Sequence, residues 1–154
     1  MNLAAISVVA LAVAVALSCV TSINVGILAL AMARALRRPV LATDIDPEAV
    51  RVTDENRRRN RLNREVHAVT APDLRHRVIA TRKPFDLVTA NILALPLRKL
   101  AHELARHVAP GGYVVLSGIL AGQAAGVTAA YRQAGFRLVA RLAQGDWRTL
   151  VVRR

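Results

Sequence analysis

The sequence predicts an α/β fold built on a mostly parallel sheet, with an antiparallel hairpin at its carboxyl-terminal edge. Short apolar runs alternate with segments whose apolar residues recur at helical spacing, which is the pattern of parallel βαβ units. The last two apolar runs are separated only by a turn, which is typical of a hairpin. A chain of 154 residues, of which 54% are hydrophobic, can bury the core that such a domain needs.

The first 33 residues carry no charged side chain, and two interpretations of this segment stay open. Residues 3–20 are about long enough to span a bilayer. They are dominated by Ala and Val, however, and no basic residue precedes them as in a signal peptide. We favour a buried strand leading into a helix, with no stable membrane association. We therefore divide the chain into an atypical apolar segment, residues 1–25, and one domain, residues 26–154.

The middle of the chain predicts a helix with one strand before it and one strand after it. Residues 39–45 form an apolar run that ends in an acid, as a buried strand does. Asp46 suits the N-cap of a helix and Pro47 its first turn, so a helix is predicted from there through residue 62. Residues 65–71 alternate between apolar and polar side chains and predict the second strand.

The second half continues the alternation and ends in the hairpin. Pro110-Gly111-Gly112 is expected to break the chain between a helix and a strand. The predicted elements are a strand at 85–92, a helix at 95–109, a strand at 113–119, a helix at 121–135 closed by Gly135, and strands at 136–143 and 147–154 joined by residues 144–146.

The charge balance favours an anionic partner. The formal net charge is +12, from 22 basic and 10 acidic residues, so nucleic acid or a ribonucleoprotein is the natural candidate. The alternative is that the arginine usage reflects a GC-rich genome. A lone cysteine, Cys19, excludes an internal disulfide framework and fits a reducing, cytoplasmic compartment.

Two polar residues end predicted strands, where ligands bind in sheets of this kind. Asp44 follows Gly26 at about the 20-residue spacing at which a carboxylate can accept the ribose hydroxyls of a nucleoside cofactor. Asp46 is interpreted as a helix cap. Asn91 ends the strand "FDLVTAN", and its side-chain amide offers both a hydrogen-bond donor and an acceptor. It could hold a substrate amine so that the lone pair of the amine nitrogen points at an electrophilic methyl group. The alternative for Asn91 is a helix cap.

Other kinds of site find little support. The four histidines lack metal-ligand spacing and there is one cysteine, so we expect no metal. There is no Gly-x-Ser-x-Gly motif and no phosphate-loop lysine. Arg57-Arg58-Arg59, with Arg61 and Arg64, is interpreted as a solvated helix face, with phosphate contact as the alternative.

From Gly26 to Arg154 the chain resembles the catalytic domain of the bacterial ribosomal protein L11 methyltransferase family. The motifs that carry the resemblance, in order, are "GILALAMARAL", "ATDIDPEAVRVTDEN", "FDLVTANILALPL", "LARHVAPGGYVVLSGILAGQ" and "YRQAGFRLV" followed by "WRTLVVRR". The resemblance implies a Rossmann-like class I S-adenosylmethionine-dependent methyltransferase fold with a seven-stranded sheet. It also implies transfer of methyl groups from that cofactor to lysine and N-terminal amines of a large-subunit ribosomal protein. We expect a monomer.

The resemblance assigns a role to each candidate residue. Asp44 is expected to hold the cofactor ribose, and Asn91 to lie beside the methyl donor and the target amine, as a catalytic and a cofactor-binding residue. In the family the loop before the first helix reads Asp-x-Gly-x-Gly-x-Gly. The cofactor-binding loop positions here are Ser22, Asn24 and Gly26.

The loop departs from the family pattern, because Val20 replaces the acid, and Ser22 and Asn24 replace two glycines. Asn tolerates positive φ better than most residues, but Ser22 places a Cβ where backbone must approach the ligand. The family's separate amino-terminal substrate domain has no counterpart in this sequence. We therefore expect weakened or absent activity, and suspect that residues 1–25 are not homologous to the family and come from a shifted reading frame or an altered gene start.

Two other function classes stay open beside the methyltransferase. One is a cofactor-free basic module that binds RNA or ribosomes, with non-specific contact to ribosomal RNA. The other is a membrane-anchored protein that uses residues 3–20.

Overall fold

The structure is a computed structural model that describes residues 26–154. The chain divides between residues 79 and 80 into two compact units. A one-turn helix at the division, Arg77–Ala80, was not predicted from the sequence. Each unit is described by itself. The interpretations of residues 3–20 and of the glycine loop at positions 20–24 lie outside the described residues.

The first unit contains two helices and a pair of parallel strands. Its elements are α1 (Ile27–Leu36), β1 (Val40–Asp44), α2 (Pro47–Arg59) and β2 (Val66–Thr70); the one-turn helix that follows is α3. The two strands pair in register from Val40 opposite Val66 to Asp44 opposite Thr70. The strands and the longer helices lie where the apolar patterns predict them.

The core of this unit is aliphatic, as the scarcity of aromatic residues requires. The side chains packed together are Ala29, Leu30, Ala33, Leu62 and Val66, with Val40 and Ala42 against them. Residues of α1 thus pack on β1 and on the segment that enters β2. The apolar face of α1 is what fixes this helix on the strand pair, because burial of aliphatic surface is the main favourable term available to it.

The start of α2 confirms the capping interpretation. Asp46 has extended backbone angles and its carboxylate accepts the backbone N–H of Glu48 at 2.9 Å. Pro47 occupies the first helical turn, where its missing N–H costs nothing. This local chemistry sets the point at which the chain leaves the end of β1 and enters the helix.

The second unit is a four-stranded sheet with two helices. Its elements are β3 (Phe85–Asn91), α4 (Ala94–Ala105), β4 (Val108–Leu120), a 3-10 turn (Ala121–Gln123), α5 (Ala124–Gln133), β5 (Arg137–Gln144) and β6 (Trp147–Arg153). The strand order is β3-β4-β6-β5. β3 and β4 are parallel, whereas β6 is antiparallel to both β4 and β5, which confirms the terminal hairpin.

The central strand β4 corrects one expectation. Pro110-Gly111-Gly112 does not break the chain ahead of a strand; it lies inside β4, which begins at Val108. The pairing with β3 is irregular there, because Phe85 lies opposite Val108 and Leu87 opposite Tyr113. Gly112 fits because a Cβ would lie 2.9 Å from the carbonyl oxygen of Ala109. Local strand breakers are tolerated here because tertiary pairing continues on both sides.

β4 is buried along most of its length. Val114, Val115 and Leu116 are at most 1% exposed, as are Leu150 and Val151 of β6. Tyr131 of α5 is fully buried, its ring centroid 5.5 Å from that of Phe136. Burial raises the pKa of the Tyr131 hydroxyl. Gly135 takes a φ of 91° just after α5, as the predicted helix stop requires.

The described residues hold six strands in two sheets. The count of seven stays a prediction, because the expected first strand lies in residues 1–25. Within residues 26–154, no helix has both the length and the apolar character needed to cross a membrane.

Candidate functional site

Asn91 closes β3 and is held by the neighbouring strand. It pairs in register with Ser117 of β4, whose hydroxyl donates a hydrogen bond to Oδ1 of Asn91 across 3.1 Å. Ser117 is buried, whereas Asn91 is exposed. The carboxamide oxygen is therefore oriented from the protein side, and the rest of the amide is accessible to a ligand.

The helix that follows does not use Asn91 as its cap. The N-cap position of α4 is Leu93, two residues further on, and no side chain caps that helix end. The helix-capping alternative for Asn91 is therefore wrong. Leu93 is 73% exposed and Leu95 is 59% exposed, so Asn91 is followed by an apolar, accessible segment.

A glycine next to Ser117 allows two segments of backbone to meet at Asn91. Gly118 has a φ of 78°, and a Cβ there would lie 2.8 Å from the carbonyl oxygen of Ile92 and 3.1 Å from Oδ1 of Asn91. The β4–β6 register also shifts between Leu116 and Ile119, so Gly118 lies in a β-bulge. A side chain at this position would displace the Asn91 amide.

Sequence reasoning counted positions 117–120 among the strand ends where a ligand could bind, but it assigned no role to Ser117 or Gly118. The signal that points to them is the glycine inside the strand "YVVLSGI", because such a glycine marks a bulge or a close backbone approach. The residue approached, Asn91, is 26 positions from Ser117 in the chain, so the contact could be identified only from the structure.

Asp44 ends β1 with one carboxylate oxygen in use. Oδ1 accepts the backbone N–H of Asp46 at 2.9 Å, and the carbonyl oxygen of Asp44 accepts the N–H of Ala71 at 2.8 Å. The side chain is exposed, and within residues 26–154 no other hydrogen bond reaches its carboxylate. One oxygen thus orders the turn into α2, and the other is accessible.

Gly26 has a structural role at the start of α1. Its φ is 78°, and a Cβ would lie 2.5 Å from Cγ2 and 2.6 Å from Oγ1 of Thr53. Thr53 is buried in α2, and its hydroxyl donates to the carbonyl oxygen of Ala49 at 2.9 Å. The absence of a side chain lets the start of α1 approach α2. Ser22 and Asn24, the other loop positions predicted to bind cofactor, lie outside the described residues.

The predicted site residues thus fall into separate local groups. In the first unit Asp44 contacts the turn at Asp46, and Gly26 packs on Thr53. In the second unit Asn91 meets Ser117 and Gly118. In the part of the chain that the structure describes, no three His, Cys, Asp or Glu side chains are grouped so that they could hold a metal ion.

The arginine run of α2 is engaged in ion pairs along its own helix. Arg57 and Arg58 contact Asp54 at 2.6 and 3.8 Å, and Arg59 contacts Glu55 at 4.0 Å. The hydrogen bond from Arg57 lowers the pKa of Asp54 and, reciprocally, raises the pKa of Arg57. This arrangement agrees with a solvated helix face.

The family model for "Ribosomal protein L11 methyltransferase (PrmA)" matches residues 23–154. The chain belongs to the ribosomal protein L11 methyltransferase family. The match covers α1, both sheets and every described candidate residue.

Curated members of the L11 methyltransferase family share about half of the aligned residues with this chain. The protein of that name from Chelativorans sp. (strain BNC1) is 50% identical over 128 residues, which is 83% of this chain and 44% of the relative. The one from Bradyrhizobium diazoefficiens is 49% identical over 129 residues, which is 84% of this chain and 44% of the relative. The chain therefore spans less than half the length of these relatives.

Solved structures agree on the fold. The ribosomal protein L11 methylase from Lactobacillus delbrueckii subsp. bulgaricus superposes with a TM-score of 0.80 at 27% identity, covering 96% of this chain and 79% of that one. An RNA methyltransferase from Salinibacter ruber, solved with S-adenosyl-L-homocysteine, has a TM-score of 0.64 at 18% identity, covering 83% and 73%. The chain has the Rossmann-like fold of S-adenosylmethionine-dependent methyltransferases, as predicted.

Proposed function

We propose that this chain is the catalytic part of an S-adenosylmethionine-dependent methyltransferase that methylates ribosomal protein L11. The observation that carries the proposal is the family match over residues 23–154, which includes an exposed Asn91 oriented by Ser117 at a strand end. Since the proposed substrate is a ribosomal protein, we propose the cytoplasm as the compartment. The aligned part of the chain spans 44% of the length of the relative from Chelativorans sp..

The residues of the first unit fit the ribose end of the cofactor. Asp44 keeps one carboxylate oxygen accessible while the other is anchored by the N–H of Asp46. A carboxylate fixed in this way accepts hydrogen bonds from hydroxyl groups without a further loss of side-chain entropy, so each bond contributes more to the binding free energy. Asp44 would therefore hold the ribose hydroxyls. Ser22, Asn24 and Gly26 are proposed at the methionine end because they stand where the family pattern Asp-x-Gly-x-Gly-x-Gly has its three glycines.

Asn91 fits the role of aligning the target amine. Its Oδ1 accepts one hydrogen bond from Ser117 and retains a second lone pair. An N–H of the incoming amine would donate to that lone pair, which fixes the direction of the nitrogen lone pair. Alignment of this kind converts a chance encounter into a near-attack geometry. Asn91 supplies no proton transfer itself, because an amide neither gains nor loses a proton near neutral pH.

When bound, S-adenosylmethionine supplies an electrophilic methyl group on a sulfonium sulfur. With Asp44 holding the ribose and Asn91 aligning the amine, the nitrogen would take up that methyl group as the carbon–sulfur bond broke, with the bonding pair left on sulfur. The nitrogen must be neutral to attack, so the proton leaves to solvent beforehand. The protein positions the amine and the methyl group for in-line attack, and none of its side chains forms a covalent bond to either.

We further propose that both lysine and N-terminal amines are acceptors. The two differ in pKa, about 10.4 for lysine and about 7.7–8.0 for an α-amine. Methylation of an L11 peptide with a free α-amine should level off near pH 8, whereas lysine methylation should rise about tenfold per pH unit from 7 to 9. Mass spectrometry of the two products at each pH tests the assignment. Equal pH profiles for the two amines would contradict it.

The proposed function is tested first by cofactor binding. Isothermal titration of S-adenosylhomocysteine into the 154-residue chain should show binding that Asp44→Ala weakens by about 1.5–3 kcal/mol, the range for a charged hydrogen bond. Asp46→Ala is the matched control, since it removes a carboxylate two positions away that caps α2. It should lower stability by about 0.5–2 kcal/mol and leave the affinity largely unchanged. Equal affinities for the parent and Asp44→Ala would remove Asp44 from the site.

A further inference from the structure

Most of the net positive charge of the chain lies in residues 80–154, where few acidic side chains can balance it. Residues 80–154 hold 11 of the 22 basic residues but only three of the ten acidic ones, a net charge of +8. None of these 11 basic side chains forms an ion pair within the described residues. In α2, by contrast, Arg51 pairs with Glu48 and Glu55 in addition to the pairs of Arg57 to Arg59. Two thirds of the net charge, +8 of +12, therefore lies in residues 80–154.

The sheet topology brings six of these residues to one end of the sheet. β5 runs parallel to β4, because both are antiparallel to β6. The starts of β3, β4 and β5 thus lie at the same end as the finish of β6. The residues at this end, named the basic end here, are Arg82 and Lys83 before β3, Arg106 before β4, Arg137 at the start of β5, and Arg153 and Arg154 at the finish of β6.

Backbone contacts hold two of these guanidinium groups in place. Arg153 pairs with Arg137 in register, and its Nε donates to the carbonyl oxygen of Gly111 at 3.0 Å. Its guanidinium carbon also lies 5.5 Å from the ring centroid of Tyr113. Arg154 donates from Nη1 to the carbonyl oxygen of Val108. Each retains further N–H donors for a ligand, because a guanidinium carries five.

The opposing charge at the basic end is small. The negative groups in the same stretches are Asp86, Glu103 and the terminal carboxylate of Arg154, which leave a clear positive excess. Arg82, Lys83, Arg106 and Arg137 are all exposed. No ion pair in the part of the chain that the structure describes neutralises these four, so their charge is available to a partner.

We propose that the basic end binds the phosphate backbone of RNA. Each of four adjacent strands contributes at least one cation, and strands lie about 4.8 Å apart, so the row is roughly 14 Å long. A row of this length can meet several successive phosphates at once. Five of its six members are arginines, whose planar fork matches phosphate oxygens in a bidentate manner.

The location of the basic end keeps RNA away from Asn91. Asn91 is the last residue of β3, and the basic end lies at the start of that strand. The two features occupy opposite ends of one sheet. The inference is independent of the proposed methyl transfer, since it concerns a different surface.

The test is a fluorescence anisotropy titration of a labelled RNA hairpin of mixed sequence with the 154-residue chain. The variant Arg82→Ala/Arg106→Ala/Arg137→Ala should bind at least about tenfold more weakly at low salt. Its slope of log K against log salt concentration should be smaller by about 2, because counterion release falls with each lost phosphate contact. Lysine at the same three positions should retain most of the affinity.

The matched control is Arg51→Ala/Arg58→Ala/Arg59→Ala, which removes the same charge from the paired face of α2. Its RNA affinity should stay within about threefold of the parent, since those cations are already neutralised. Equal losses in both triple variants, with thermal unfolding unchanged, would overturn the assignment by showing that only total charge matters.

Two further arms test which partner the basic end binds and whether it acts independently of the cofactor site. Vesicles of anionic phosphatidylserine should be bound less tightly than the hairpin; tighter binding to vesicles that depends on the same three arginines would overturn RNA as the partner. Asp44→Ala should leave RNA affinity unchanged. Failure of the parent chain to bind S-adenosylhomocysteine, with its RNA binding intact, would refute the methyltransferase proposal alone.

Discussion

The hydroxyl of Ser117 lies 3.1 Å from Oδ1 of Asn91 and links the end of β3 to β4 at the last paired position of the two strands. Ser117 itself is buried, so this bond is screened from water on one side. It fixes which way the Asn91 amide faces before any ligand arrives.

Ser117→Ala should slow methyl transfer about twofold to tenfold while thermal stability changes little. The reason is that one hydrogen bond worth about 0.5–1.5 kcal/mol no longer orients the amide. The measurement is single-turnover transfer of a radiolabelled methyl group to ribosomal protein L11. Thr128→Ala, which removes a hydroxyl bonded within α5, is the control and should have no effect on the rate. Unchanged transfer in Ser117→Ala would show that Asn91 needs no such support.

Gly118→Ala should cost about 2–4 kcal/mol of unfolding free energy, because the residue combines a positive φ with a Cβ position 2.8 Å from the Ile92 carbonyl oxygen. Gly145→Ala separates the two causes. Gly145 also has a positive φ, 55°, but a Cβ there would meet nothing within 4 Å. We expect about 1–2 kcal/mol for that control by urea unfolding. Equal costs would mean that the close approach at Asn91 contributes nothing.

Gly26→Ala should destabilise the chain by about 2–3 kcal/mol, from a strained φ of 78° and from overlap with Thr53. Thr53→Ala removes the two nearest atoms, Cγ2 and Oγ1, and should partly relieve the overlap. The double variant should therefore be more stable than the sum of the single effects predicts, by about 1 kcal/mol in urea unfolding. Simple additivity would contradict a direct contact between these positions.

Restoring the family loop should raise cofactor affinity. Val20→Asp with Ser22→Gly and Asn24→Gly returns the acid and two glycines, which permit close backbone approach to the ligand. Titration of S-adenosylhomocysteine into the triple variant and the parent measures the gain, for which we expect at least about tenfold. A variant that binds no better than the parent would show that the alignment of residues 20–26 is wrong.

The Asp54–Arg57 pair should stabilise the chain only above acidic pH. Hydrogen bonding to Arg57 lowers the pKa of Asp54 below its ordinary value of 3.8, so the folded state favours the charged form. The stabilisation is therefore complete above the unfolded-state pKa and is lost as pH falls through the folded-state pKa.

Thermal unfolding of the parent and of Asp54→Asn at several pH values measures this effect. The two should differ by less than about 1 kcal/mol at pH 7, as for a surface pair. The difference should shrink below about pH 4. A difference that grows on acidification would have the wrong sign.

Local signals in the sequence were enough for most of the secondary structure. The N-cap Asp46 and the apolar runs of β1, β2 and β3 depend on neighbours within a few positions, so the predictions hold to within a residue or two. The short helix α3 was missed because four residues carry no periodicity. The same local reasoning failed at Pro110-Gly111-Gly112, where pairing on both sides overrides the breakers.

The candidate site was predictable only in part, for a related reason. Asn91 and Asp44 could be chosen because a polar residue that ends an apolar strand needs a partner. Ser117 and Gly118 meet Asn91 only because the parallel pairing of β3 with β4 brings distant segments together. A register between two strands is a long-range property, and a single sequence does not specify it.

The length of β4 has a consequence for how the second unit opens. Its 13 residues run between β3 and β6, and the stretch from Val114 to Ser117 is buried without a break, so its amides should be the last in this unit to exchange with deuterium. β5, which lies at the sheet edge with most of its residues exposed, should exchange early. The strand that orients Asn91 therefore belongs to the slowest-opening part of the unit. Local opening of the β5–β6 hairpin can therefore detach β5 from the sheet while the side-chain amide of Asn91 keeps its orientation.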